Sequence, residues 1–471
     1  MRTRRFTALT LTLALGGSAT LLAACSSSGS SSSTTTPSAT ATCNATALNA
    51  ATGPVTINFW ESAARANATV LANLTNQFNA SQTKVHVNLV VQTSYADTWQ
   101  KVKAGLSNGQ LPDVAQIQDT DTQGAIDTGA FLNEQNCING FSYQTSDFLP
   151  RALAYWSVNH QQWAMPFAVS GPVLYFNQNA FTKAGLNPAT PPATLSQMVA
   201  DAKTLKTAGQ GGMGLVLDPW HFETWLATEN DLLVNHNNGR TGRATAVAFN
   251  TPAADQIFSE LNQMVSAGDA TTNSAQGAAA FDNLLGVGSG KYSMTIDTSA
   301  ALGTIQSLLA TGQYPNVKLG VAPFPTAVAN ATGGVQPGGS ALWISSKSSP
   351  AKEAAAWEFV TFLDNTASQA TWAAGTGYIP LRTSSANTPT IQKLWATNPQ
   401  FKVAYTQLVG GAATYASAGA VLGSFDDVRT AIATAEATMF LGKESPSAAV
   451  TMAANSSNAL ISNYNQRIGQ G

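Results

Sequence analysis

From Val55 onward the chain switches between two periodicities, and that alternation restricts its fold more than any other feature. VTINFW, residues 55 to 60, places apolar side chains at every second position, as a strand does. Asn67 to Asn79 carries Val70, Leu71, Leu74 and Phe78 at helical spacing, and Lys84 to Val91 returns to alternation through Val85, Val87, Leu89 and Val91. Tyr95 to Leu106 predicts a second helix on Trp99, Val102 and Leu106, Gly109 stops it, and Pro112 to Ile117 reads as a buried strand. Strands alternating with helices build a parallel or mixed sheet. Ligands of such sheets sit beyond the strand carboxyl ends, which puts Trp60, Glu61, Asp119 and Thr120 at a candidate rim.

The pattern restarts after Ala164-Met165-Pro166-Phe167. Val173 to Asn177 and Met213 to Leu217 predict strands, with a helix from Leu195 to Thr207 between them, entered through Pro191, Pro192 and Thr194. A second α/β lobe therefore begins near Ser170. Tyr292 to Ile296 and Ala341 to Ile344 read as further strands. Ser349 and Pro350 read as the N-cap and first position of a helix carrying Trp357, Phe359 and Leu363, and Asp427 to Gln466 as helical. At 471 residues and 44% hydrophobic, the chain has material for two or three cores, which excludes one small domain.

Charged residues make up 10% of the chain, against about 25% in an ordinary soluble domain, and 23 Lys and Arg nearly balance 25 Asp and Glu. That balance excludes a polybasic nucleic-acid binder. A coat of Ser, Thr, Asn and Gln suits a secreted protein, and the N-terminus agrees. Arg2, Arg4 and Arg5 precede an apolar run from Phe6 to Leu22, then Ala23 and Ala24 precede Cys25. Residues 1–24 read as an export signal, too short and too rich in Gly and Ser for a spanning helix. Leu22-Ala23-Ala24-Cys25 resembles a bacterial lipobox, which implies cleavage before Cys25 and diacylation of its thiol. The mature chain then holds 20 basic and 25 acidic side chains, net −5. Residues 25–53 form the lipidated Cys and a Ser- and Thr-rich flexible tether, with the folded part starting near Pro54. Export also permits Cys43 and Cys137 to pair, which would pin the tether to one lobe; two separate thiols are the alternative.

Familiar catalytic signatures are missing. The four His, at 86, 160, 221 and 236, form no HExxH and no pair at helical spacing, so no metal and no cofactor is expected. Gly209, Gly211 and Gly214 fit GxGxxG but follow a helix and precede a strand, the reverse of the dinucleotide-binding order, so they read as a helix stop and turn. The run Gly286 to Lys291 fails as a phosphate loop because Leu285 and Tyr292 occupy the required Gly and hydroxyl positions. No GxSxG elbow is present.

Three motifs carry a resemblance. Pro166-Phe-Ala-Val-Ser-Gly-Pro-Val-Leu-Tyr-Phe-Asn177, with Ala180-Phe-Thr-Lys-Ala-Gly-Leu186 after it, is similar to the crossover and first second-lobe strand of sugar-type extracellular solute-binding proteins of bacterial ABC importers. Gly338-Gly-Ser-Ala-Leu-Trp343 and Thr376-Gly-Tyr-Ile-Pro380 are the other two, and the resemblance runs from about Val55 to Ile468. It implies an α/β, type II periplasmic-binding-protein-like fold, two lobes joined by a hinge around a ligand cleft. Lobe 1 is expected over 54–169 and 338–376, lobe 2 over 170–337 and 377–471, with crossovers near Ser170, Gly339 and Tyr378. Together with Gly423-Ser-Phe-Asp-Asp-Val-Arg429, these stretches resemble the binding proteins for sn-glycerol-3-phosphate and its diesters.

By that resemblance Tyr95 and Asp119 receive glycerol hydroxyls. Ser170, Thr298, the Gly339 backbone and Tyr378 supply further hydrogen bonds, Trp220 flanks the ligand, and Arg429 meets phosphate oxygens. Trp60 and Glu61 are possible additions. The chain departs from the family at Asp119, often Glu there, at Thr298, usually Ser, and at Asp426 and Asp427, which replace uncharged residues. Asp426 stands at helical spacing to pair with Arg429. The implied protein is exported, lipid-anchored on the outer face of the cytoplasmic membrane, monomeric and not an enzyme. It delivers a glycerol phosphate or glycerophosphodiester to a permease. A neutral mono- or oligosaccharide is the alternative ligand, and an extracellular enzyme on glycans or phosphodiesters and an adhesive surface protein are the other classes.

Overall fold

The computed structural model describes residues 43–274 and 281–469. The export signal, Cys25 and the tether up to residue 42 lie outside the described residues. The described chain is already packed at Cys43, ahead of the start expected near Pro54. Cys43 is bonded to Cys137 in the helix Gln135–Gly140, and Leu48, buried in the turns that follow, packs into the same core.

The strands are β1 (Val55–Glu61), β2 (Val85–Val91), β3 (Val114–Gln118), β4 (Ser157–Val158), β5 (Gln161–Gln162), β6 (Met165–Ser170), β7 (Pro172–Asn177), β8 (Met213–Leu217), β9 (Ala270–Ser274), β10 (Met294–Thr298), β11 (Leu319–Pro323) and β12 (Gly338–Ile344). They form two mixed five-stranded sheets and one small hairpin. The first sheet has the order β2-β1-β3-β12-β6, with β1 parallel to both neighbours and β12 antiparallel to β3 and β6. The second has the order β11-β7-β10-β8-β9, with β7 antiparallel to β10 and β11. The expected α/β lobes are thus present; one core cluster lies in the second lobe, and the other runs from the first lobe onto Val173 and Tyr175 of β7.

In the first lobe the alternation of β1 turns Ile57 and Phe59 inward, where Phe359 of the helix Pro350–Leu363 meets Phe59 edge-on at 5.6 Å and Phe78 at 5.1 Å. Burying each such ring favours folding by roughly 1.5–3 kcal/mol. Ser349 occupies the N-cap of that helix without a side-chain hydrogen bond. In the second lobe Phe222 meets Phe249 and Phe258 edge-on at 5.5 and 5.2 Å. The helical stretch expected over Asp427 to Gln466 is two helices, Phe425–Phe440 and Pro446–Arg467. The second is started by Ser445, whose hydroxyl accepts from the Ala448 N–H, and by Pro446.

The chain passes between sheets at Ser170–Pro172, where β6 ends and β7 begins, and returns at Gly338, which pairs with Ser170. The third passage comes later than Tyr378. Ile379 donates to Val169, Leu381 accepts from Leu149, and Thr383 donates to Asp147, all first-lobe partners. Hydrogen bonds to the second-lobe strands are made by the helix Val403–Gly410, where Gln407 donates to the Pro172 carbonyl and accepts from the Phe324 N–H. The lobes also touch away from these passages. Asp127 of the first lobe accepts two hydrogen bonds from Arg243, at 2.6 and 3.0 Å, and one from Tyr464 at 2.9 Å.

Candidate ligand-binding site

Between the sheets lies a cavity of about 270 Å³. Its first-lobe wall starts with Tyr95, the first residue of the helix Tyr95–Asn108, which Ser94 caps by accepting from the Asp97 N–H. The Tyr95 hydroxyl lies 3.3 Å from that of Tyr378 and accepts from Ser340 at 3.3 Å. Asp119 opens the short turn after β3. Burial raises its carboxyl to about 6 against the opposing charge of Arg429, and its Oδ1 has no partner among the described residues. Tyr378 stacks on Trp372 at 5.2 Å, and Trp372 on Phe167 at 4.9 Å, so the aromatic wall is braced by a column of rings.

The floor is backbone. Ser170 closes β6 opposite Gly338, and Gly339 has φ 129°, where an added Cβ would fall 1.9 Å from the Ala168 carbonyl. A Cβ on Gly338 would fall 2.8 Å from the Trp220 indole. Neither position admits a side chain, so the crossing strands present main chain to the cavity.

On the second-lobe wall the helix Pro219–Thr228 begins at Asp218, whose side chain accepts from the Trp220 N–H at 3.0 Å. Trp220 is buried and its Nε1–H has no partner among the described residues. Thr298 ends β10 and caps the following turn. Beside it Asp297 accepts from the Thr298 N–H at 2.6 Å and from Asn283 at 2.7 Å, yet burial still raises its carboxyl to about 7.

Arg429 completes the wall. Its Nε and Nη2 donate to the two oxygens of Glu223, each at 2.7 Å, and Gln336 donates to Glu223 at 3.0 Å. Burial works against the Arg429 charge, but Glu223, then Asp119 and Asp218, outweigh it and hold the group well above its ordinary value. The pairing expected with Asp426 is not made. Asp426 lies exposed on the same helix and adds to the burial that holds Asp121 of the other lobe well above its usual value. Glu223 reaches Arg429 from a neighbouring helix with both oxygens aligned, a geometry that a side chain one turn away on the same helix does not offer.

Tyr95, Asp119, Ser170, Trp220, Thr298, Gly339, Tyr378 and Arg429 therefore all line one cavity. Trp60 and Glu61 do not. Trp60 packs against the first core, and Glu61 turns back to accept from the Ala63 N–H at 2.6 Å. Sequence reasoning also missed Arg65, Asp218 and Trp372 on the walls and Glu223 behind Arg429. A signal for Glu223 existed: a lone carboxylate in PWHFETWLAT, a helix otherwise apolar or neutral, requires a partner once that helix is buried on all sides.

The fold and cavity have known counterparts. Residues 73–403 match the family model of bacterial extracellular solute-binding proteins. The sn-glycerol-3-phosphate-binding periplasmic protein UgpB of Rhizobium meliloti (strain 1021) is 26% identical over 422 residues, covering 86% of this chain and 93% of that one. UgpB from Mycobacterium tuberculosis, solved in complex with glycerophosphocholine, superposes with a TM-score of 0.71 at 22% identity, covering 89% of this chain and 100% of that one. The GacH receptor of Streptomyces glaucescens, solved unliganded and with acarbose, has a TM-score of 0.71 at 21% identity over 87% of this chain and 98% of its own. The two-lobed architecture is that of type II periplasmic solute-binding proteins. With the family model matched over more than half of its length, the chain belongs to the bacterial extracellular solute-binding protein family.

Proposed function

We propose that the protein captures a glycerophosphodiester between its lobes and delivers it to the permease of an ABC importer. The observation that carries this reading is the bidentate Glu223–Arg429 pair on a wall that also holds Asp119, Asp218 and Asp297. A phosphate dianion entering there meets a guanidinium already neutralised on one edge and several carboxylates. A singly charged diester needs less counter-charge, and the Nη1 edge of Arg429, which has no partner among the described residues, suffices for it. In this reading Asp119 and Tyr95 take the glycerol hydroxyls, and Ser170, Thr298, the Gly339 backbone and Tyr378 supply the remaining hydrogen bonds. Trp220 flanks the ligand, and a cationic head group is favoured near Asp297. The glycerol-phosphate-binding relatives and the neighbour holding glycerophosphocholine support the same ligand class.

The carboxylate excess also favours a second reading, a neutral sugar whose hydroxyls donate to those acids. Calorimetry of the purified protein with glycerophosphocholine, sn-glycerol-3-phosphate and maltose separates the two. The diester should bind tightest; tight maltose binding with no heat from either phosphate would replace the first reading by the second. The role proposed is capture and release without turnover, by a monomer diacylated at Cys25 and held on the outer face of the membrane. Cys25→Ala should abolish lipid labelling and membrane retention. Equal retention of both forms would refute the anchor.

A further inference from the structure

A second cavity, of about 750 Å³, shares no wall residue with the first. It is lined by the helix Pro150–Tyr155 with the β4–β5 hairpin, by residues between Asn230 and Thr241, and by the loop from Ala413 to Ala418. Two guanidinium groups belong to its walls, those of Arg151 and Arg240, 9% and 8% exposed. No carboxylate pairs with either among the described residues. Arg240 donates only to main-chain carbonyls, those of Ala154, Tyr155, Ser157, Ala418 and Gly419, at 2.6 to 3.3 Å. Arg151 donates to Leu408 at 2.7 Å, to Val335 and to Ser417, and its Nε–H has no acceptor among the described residues.

Carbonyl dipoles solvate such charges but do not cancel them, so two net positive charges stand in one wall. Burial lowers both groups to about 10, and no carboxylate offsets it. Glu229 and Asp231, the nearest acids along the chain, are not wall residues. Around the two arginines, Asn159, Asn230, Asn237, Thr241 and Thr414 contribute amides and hydroxyls. The turn that leads into Arg240 is itself costly: His236, Asn237 and Asn238 hold left-handed φ values of 53°, 54° and 58°. Non-glycine residues adopt such a run only where the surroundings enforce it.

We propose that this cavity, which also has walls from both lobes, is a second binding site, for a small oxyanion, distinct from the first cavity and independent of the ligand assigned there. Two buried guanidinium charges that no carboxylate offsets suit phosphate, sulfate or a carboxylate; the Arg240 N–H groups are committed to carbonyls, and the donors left for the ion are the Arg151 Nε–H and the amides of Asn159 and Asn230, which make no side-chain hydrogen bond among the described residues. Equilibrium dialysis of the purified protein against radiolabelled inorganic phosphate tests it, with sulfate as competitor. One saturable site is expected. Ala413→Asp puts a carboxylate on the wall at an exposed position that makes no side-chain hydrogen bond. It should weaken phosphate about tenfold, the scale of one charge interaction across partly solvated protein, without lowering the phosphate-free melting temperature. Ala413→Asn should bind as the wild type does, and so should Arg429→Met. Loss of phosphate binding in Arg429→Met but not in Ala413→Asp would place the ion in the first cavity and overturn the proposal, as would the absence of saturable binding.

Discussion

Replacing Glu223 by Gln should convert Arg429 from a paired cation into an available one. The Glu223 side chain is fully buried, that of Arg429 is 13% exposed, and two hydrogen bonds of 2.7 Å join them. Breaking a buried ion pair by removing one partner costs about 3–5 kcal/mol; Gln keeps the volume and one acceptor, so a loss of about 3 kcal/mol in unfolding free energy is expected. Binding should move the other way for one ligand class. A charge-assisted hydrogen bond contributes about 1.5–3 kcal/mol, so one new contact from the freed guanidinium should tighten sn-glycerol-3-phosphate by about 2 kcal/mol, roughly thirtyfold. Maltose, with no charge to meet the guanidinium, should bind as before. Denaturant unfolding and calorimetry on Glu223→Gln and wild type measure both quantities. Asp426→Asn is the control for binding: unpaired with Arg429, Asp426 should leave the affinity for sn-glycerol-3-phosphate unchanged. Lower stability with unchanged or weaker sn-glycerol-3-phosphate binding would refute the idea that Glu223 withholds the Arg429 charge from the cavity.

The Asp119 carboxyl, raised by burial to about 6, favours the proton-bound folded state, so its contribution to stability declines as pH rises from 3.8 through about 6. A ligand that donates hydroxyls to Asp119 needs the ionised form, so its affinity should climb with pH up to about 6 and then level, and calorimetry of Asp119→Asn should show a flat profile. Cys137→Ser opens a covalent loop with a sequence separation of 94 and should lower unfolding free energy by about 4 kcal/mol, read from denaturant midpoints under oxidising conditions; an unchanged midpoint would mean that the bond does not form in the folded protein. Asp127→Ala removes the contact with Arg243 and Tyr464, which at this partial exposure contributes about 1 kcal/mol to holding the lobes together. Small-angle scattering should show a larger ligand-free radius, and an identical radius would count against the contact as a closing element.

Local pattern was enough for some elements. The helix Leu195–Thr207 and strand Met213–Leu217 fall where periodicity put them, because their apolar residues follow one period and their ends carry caps or glycine. β9, ATTNS, went unread because only Ala270 is buried and an edge strand of polar residues resembles a loop. Strand order was not legible either: β12 enters between β3 and β6 after a long excursion through the second lobe, and no local signal specifies that insertion. The same division holds at the cavity. The residues that line it were reached through motif resemblance, whereas Glu61, chosen from the strand-end rule alone, folds back on its own turn. Helical spacing nominated Asp426 for Arg429 because spacing sees only neighbours along the chain, and the partner actually made comes from 206 residues away.

The bond between Cys43 and Cys137 ties the start of the described chain to the first lobe. Cys137 sits in the core of the first lobe, so a pull arriving along the segment before Cys43 passes into the helix Gln135–Gly140 and the sheet beneath it without crossing any of the three passages between lobes. Load entering at Cys43 would thus be borne first by the first lobe, and would reach the second only through the passages and the cross-lobe contacts of Asp127, Arg151 and Arg240.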